Sequence, residues 1–160
     1  MTIRKTTTDD LPAVMDIYAC ARLYMSKSGN PNQWKNNHPP KELIEQDIKE
    51  GTSYVCVRGK DVLAVFYFNV GHEPNYDKID GKWLNDKPYG VIHRIARGPD
   101  GKGTGAFCIN WCFDQHPNIK IDTHKNNETM IKLLEKLGFS TCGTIRLPSG
   151  DERTAFQKAE

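Results

Sequence analysis

The stretch Gly98-Pro99-Asp100-Gly101-Lys102-Gly103-Thr104-Gly105 constrains this chain more than any other. Tyr89 to Arg97, just before it, reads as a strand, and a helix pattern continues after it to about Gln115. Glycines between a strand and a helix let backbone N–H groups approach a ligand closely, and the helix N-terminus adds partial positive charge. Such a unit is an anion site, most simply for phosphate, or else a flexible turn whose glycines serve only as helix caps.

The remaining pattern sets what can surround this unit. Ile3 to Thr6 predicts a short strand. Leu11, Val14, Tyr18, Ala21 and Met25 recur at helical spacing behind Asp9 or Asp10 as N-cap, with Pro12 in the first turn. The stretch from Ser28 to Pro40 is a loop containing Trp34. A second helix runs to Glu50 and stops at Gly51. Strands Ser53 to Arg58 and Val62 to Val70 flank a Gly59-Lys60-Asp61 turn, and residues 71–88 form a second long loop, of a length that usually carries function. Asn118 to Asp122 predicts a strand. Met130, Leu133, Leu134 and Leu137 form a helical stripe stopped by Gly138, and Phe139 to Ile145 and Thr154 to Lys158 close the chain as strands around Pro148-Ser149-Gly150. The expected class is α/β with a mixed sheet, in one domain spanning 1–160.

Twenty-two basic against 20 acidic side chains leave a net charge of +2, which gives no argument for a nucleic-acid partner or an anionic membrane. The longest apolar run, Val62 to Phe68, is too short to span a bilayer. The N-terminal residues lack the apolar stretch of a secretory signal, and five Cys without a CxxC pair are most simply free thiols. A cytoplasmic location is the expectation.

A Walker loop needs Ser or Thr after Gly-Lys, but Gly103 follows Lys102. The dinucleotide fingerprint GxGxxA fits Gly101, Gly103 and Ala106, with Asp122 about 20 residues on. However, only 38 residues follow Asp122, too few for the remaining parallel strands. A third reading takes in more of the chain. Ile92-His93-Arg94-Ile95-Ala96, the glycine loop, Ile121 to Met130 with Asn127, and Leu133-Leu134-Glu135-Lys136-Leu137-Gly138-Phe139 together resemble the GCN5-related N-acetyltransferases (GNAT).

That resemblance implies a mostly antiparallel central sheet flanked by helices and splayed where the cofactor binds. It implies acetyl-CoA as co-substrate and an N-acetyltransferase acting on a primary amine of a small molecule or peptide. A CoA-binding module of the same fold without turnover is the alternative. By position, the loop Gly101, Lys102, Gly103, Thr104, Gly105 and Ala106 would hold the pyrophosphate. Ile95, Ala96 and Arg97 would bond the pantetheine arm through their backbone, and Asn127 would bond it from the facing helix. Two residues depart from the family pattern. Asp100 stands where Gln or Arg is usual and should point away, and Leu134 stands where many members place a Tyr as general acid.

An aliphatic amine is protonated at neutral pH, so a base is required. Tyr89, Val91 and His93 share a strand face, and of these only His93 carries an imidazole, the side chain type suited to taking a proton near neutral pH. Glu73 in the preceding loop is the second candidate, and an ordered water chain the third. Cys108, Cys112 and His116 lie along one helix, but three such positions span about 12 Å, so packing rather than a metal is expected. No GxSxG signals a serine hydrolase. His124 is either a turn residue or a cleft residue, and Trp34, Trp83, Tyr24 and Tyr76 either pack or line an acceptor cleft. Exposed sheet edges make a homodimer a possible partner.

Overall fold

The computed structural model describes residues 1–160. Its strands are β1 (Thr2–Lys5), β2 (Ser53–Arg58), β3 (Asp61–Val70), β4 (Asp80–Gly81), β5 (Gly90–Arg97), β6 (Asn118–Thr123), β7 (Ser140–Arg146) and β8 (Glu152–Ala159). Its helices are α1 (Leu11–Lys27), α2 (Lys41–Glu50), α3 (Thr104–Gln115) and α4 (Glu128–Lys136). All eight strands form one sheet in the order β1-β2-β3-β5-β6-β8-β7-β4, and only β5 and β6 run parallel. No helix is long and apolar enough to cross a membrane.

Apolar periodicity explains the layering. Val14, Ile17 and Tyr18 of α1 and Ile44 of α2 meet Val55, Val65 and Ala96 on one face of the sheet. On the other face Phe66, Phe68, Ile92 and Ile119 meet Cys108, Ile109 and Cys112 of α3 and Leu134 of α4. Cys108 and Cys112 are fully buried core residues, and His116 turns away to the Pro88 carbonyl. Leu134 is likewise buried, so it packs where a proton donor was considered.

Three local expectations need correction. Residues 71–88 are not structureless: Pro74–Tyr76 forms a short 3-10 turn, and β4 pairs with β7 at the sheet edge. That pairing has no side-chain period to read. It depends on Gly81 (φ 138°) facing Gly143 (φ 152°), where a Cβ on either would collide with the other strand's backbone. Secondly, Asp10 does not cap α1 with its side chain. Its carboxylate accepts from the Thr7 N–H at 2.8 Å and from both terminal nitrogens of Arg4, whose guanidinium holds it down at about 2. Thirdly, β5 does not alternate throughout. A bulge opposite β3 leaves Arg94 at φ 50°, so Ile92 and Ile95, three apart, both pack toward the α3 face.

Candidate active site

The parallel contact between β5 and β6 covers only Gly90↔Ile119 and Val91↔Lys120. Beyond Val91 the strands diverge, and the edge of β5 from Ile92 to Arg97 has no strand partner on that side. A cleft of about 420 Å³ occupies the gap, with His93, Arg94 and Ile95 on one wall and Asp122, Thr123 and Asn127 on the other. Unpaired backbone at a strand edge is a template for an extended ligand.

Where β5 ends, the chain turns into the glycine loop. Thr104 is fully buried, and its hydroxyl and N–H both donate to the Gly101 carbonyl, which tightens the turn. The backbone N–H groups of Lys102, Gly103, Gly105 and Ala106 have no acceptor in the protein. Those of Gly105 and Ala106 belong to the first turn of α3, where the helix offers none. The two central glycines differ in kind. A Cβ on Gly101 would lie 2.5 Å from the Leu63 carbonyl oxygen, so its lack of side chain serves folding. Gly103, at φ 83°, has nothing within 4 Å of a Cβ and keeps open the side from which an anion would approach. Arg97, Asp100 and Lys102 are exposed. Asp100 lies with Asp16 and Arg58 beside the β2–β3 turn, outside the main cleft.

The structure joins the two base candidates. His93 Nε2 lies 2.9 Å from Glu73 Oε1, and both side chains are about one-fifth exposed in the cleft. A carboxylate only accepts, so Nε2–H donates, and Nδ1, bonded to nothing in the protein, is the ring atom free to take a proton. The bond from His93 holds the Glu73 carboxyl below the usual carboxylate range, against a partial upward push from burial. Tyr89 steadies the loop by accepting the Glu73 N–H at 2.9 Å, so Tyr89 and His93 do share a strand face.

Asn127 caps α4: its Oδ1 accepts the Met130 N–H, while its Nδ2 donates to Gln33 Oε1 and Thr123 Oγ1. His124 makes a local turn, its Nδ1 accepting from Asn126 N–H. The aromatics divide. Trp83 and Tyr76 pack on each other at 5.2 Å, and Lys120 Nζ sits over the Trp83 and Tyr89 rings. Trp34 packs edge-on against Tyr18 and also lines the cleft. Tyr24 is half-exposed and bonds Thr129 of α4.

Several site residues escaped the sequence reading. Arg94, displaced by the bulge, makes a two-pronged ion pair with buried Asp47 at 3.0 and 2.9 Å, lies over the Tyr67 ring, and its carbonyl accepts from the Tyr18 hydroxyl. Burial pushes the Asp47 carboxyl up, and Arg94 offsets this only in part. Gln33 and Arg153 complete the set, while Tyr76 is buried behind the cleft with its hydroxyl on Asp122. No local motif marks Gln33, Asp47 or Arg153, since each comes from a segment distant from β5.

No family model and no curated protein matches the sequence. Solved structures do. A GNAT-family acetyltransferase from Streptococcus agalactiae is 31% identical, with 99% of this chain and 95% of that one covered and a TM-score of 0.90. A GNAT-family acetyltransferase from Listeria monocytogenes is 17% identical, covering 98% and 93% of the two chains at a TM-score of 0.71. The fold is also similar to that of yncA from Salmonella typhimurium, solved with its cofactor acetyl-CoA, at 16% identity, 99% and 93% coverage and a TM-score of 0.67.

Proposed function

The chain belongs to the GNAT family of acetyltransferases, and from that premise we propose that it transfers acetyl from acetyl-CoA directly to a primary amine. The observation that carries the reading is that strand β5 bears His93, paired to Glu73, and leads straight into a loop with four free N–H groups. The residues present fit the co-substrate. Lys102, Gly103, Gly105 and Ala106 offer N–H donors for a pyrophosphate at the helix N-terminus, with Gly101 and Thr104 holding the turn and Arg97 and Lys102 adding charge. Ile95, Ala96 and Arg97 supply the open edge for the pantetheine arm, and Asn127 faces it across the cleft. Charge developing on the acetyl oxygen would be met by an N–H of the same segment.

When bound, acetyl-CoA would supply the acyl carbon: the ammonium gives one proton to the base, a C–N bond forms to the neutral amine, the C–S bond breaks with CoA leaving as thiolate, and the nitrogen's second proton goes to solvent or to the thiolate. The protein's main task is the first proton. An amine with a pKa near 10.4 costs about 4–5 kcal/mol to neutralise at pH 7. His93 Nδ1 is the acceptor, and Glu73 fixes the tautomer and stabilises the imidazolium that forms. A thiol with a pKa near 8.5 leaves tolerably unaided, so the burial of Leu134 does not stop the reaction.

The test is acetyl-CoA-dependent release of free thiol with a panel of amines, alongside melting with acetyl-CoA and with a dinucleotide. Thiol release that requires an amine is the expected result. Stabilisation by CoA without turnover on any amine would leave a binding module, and stabilisation by the dinucleotide alone would sink the assignment.

A further inference from the structure

The cleft is lined by the ionisable side chains of His38, Glu73, His93, Arg94, Asp122 and Arg153. Their partners show which charge is left over. Glu73 accepts from His93, and Arg94 is matched by Asp47. Asp122 accepts the Tyr76 hydroxyl at 2.6 Å. Asp122 and Arg153 have no oppositely charged partner, and of these two only Arg153 has no side-chain partner of any kind. It is 7% exposed, and its guanidinium donates only to main-chain carbonyls, those of Glu152 at 3.0 Å and Gln33 at 3.1 Å. The acids nearest in sequence are engaged elsewhere: Asp151 with Lys35 and Ser149, and Glu152 with Arg146.

Arginine is almost never buried without an anion, because neutral carbonyls return only part of its lost hydration. Two of its five N–H groups are used here, and the planar fork suits a carboxylate. The positive charge of Arg153 is felt nearby. Burial, and then the charges of Arg94 and Arg153, hold His38 toward its neutral form. Burial followed by Arg153 does the same to His124.

Resting on the acetyl transfer proposed above, we propose that Arg153 binds a carboxylate on the acceptor, which makes the acceptor a small aminocarboxylate such as a free amino acid. The same cleft of about 420 Å³ holds both His93 and Arg153 and also takes in Ile95 and Asn127, where the pantetheine arm is assigned. A lysine side chain or N-terminus within a protein has no free α-carboxylate beside its amine to satisfy Arg153. A free amino acid offers both groups: its amine to His93 and its carboxylate to the guanidinium.

The experiment compares each proteinogenic L-amino acid with its carboxamide as acceptor in thiol release, in wild type and in Arg153→Gln. For at least one amino acid, kcat/KM should exceed that of its carboxamide by about tenfold or more. In Arg153→Gln that ratio should collapse toward unity, mainly through KM, with the acetyl-CoA KM unchanged. Carboxamides or O-phosphoethanolamine used as well as every amino acid would overturn the proposal, as would a preference that survives in Arg153→Gln. If that variant does not fold, Arg153→Lys, which keeps charge without the fork, should show a weakened preference, and the wild-type ratio decides on its own. Melting with acetyl-CoA separates the two readings. If acetyl-CoA does not bind, the transfer reading fails. Calorimetric titration of the amino acids and carboxamides then decides the carboxylate site: selective, Arg153-dependent binding upholds it, and no such binding overturns it.

Discussion

The two ends of the proposed site are built from different materials. At the end proposed for the cofactor, the open groups are backbone N–H donors from one continuous segment, Lys102 to Ala106, aimed by a turn and a helix start. At the end proposed for the acceptor, the cleft is lined by side chains from separate segments: Gln33 and Trp34 from one loop, Glu73 from another, His93 and Arg94 from β5, Arg153 from β8. A backbone site tolerates most substitutions except at the glycines that shape it. A side-chain site can be retuned one residue at a time, and each change carries a penalty wherever charges are buried.

That contrast is tested most severely at Asp47, which touches neither ligand site but pairs with Arg94. Asp47→Ala leaves a largely buried guanidinium unmatched at a bulge already strained at φ 50°, and should cost about 2–4 kcal/mol in denaturant unfolding. A loss below about 1 kcal/mol would mean that the bulge holds itself without the pair. At the chemical centre, His93→Ala should lower kcat about 10²-fold while the acetyl-CoA KM stays nearly constant. Full activity in that variant would move proton removal to Glu73 or to water.

Gly103→Ala probes the backbone end. At about 100 times its Kd, acetyl-CoA should stabilise wild type by about 2.7 kcal/mol, a melting shift of about 5–10 °C. The variant should lose most of that shift. Its unliganded melt should fall only a few degrees, the cost of a side chain at φ 83°, because a Cβ there touches nothing in the protein. Asn127→Asp sharpens the boundary between the two ends. It keeps the oxygen that caps α4 but removes the Nδ2 bonds to Gln33 and Thr123, so stability should fall by about 1–3 kcal/mol while the acetyl-CoA KM rises several-fold. An unaltered KM would confine Asn127 to capping.

The smallest expected effect lies in the pH dependence of Glu73. Its folded carboxyl is held below the unfolded value, so its contribution is present above about pH 4.3 and is lost as pH falls through the lower folded value. The stability difference between wild type and Glu73→Gln, about 1 kcal/mol near neutrality, should therefore vanish in acid. A difference that persists at pH 2 would mean that the His93 bond is not its source.

Sequence alone determined whatever depends on local chain geometry. Helical and strand periodicity located all four helices and seven of the eight strands. The open N–H groups of the glycine loop were legible too, because the conformational freedom of glycine and the free N–H groups of a helix start are properties of neighbouring residues. Alternation from Tyr89 into the first half of β5 placed Tyr89 and His93 on one face, and both meet Glu73. Tertiary structure decided the rest. The bulge at Arg94 follows from register against β3, and β4 exists only because Gly81 and Gly143 meet across the sheet edge. Asp47 lies 47 residues from Arg94, and the Gln33 carbonyl lies 120 residues from Arg153. Partners so far apart leave no spacing to read, and whether a charge stays solvated or is buried without a counterion depends on the packing of the whole sheet.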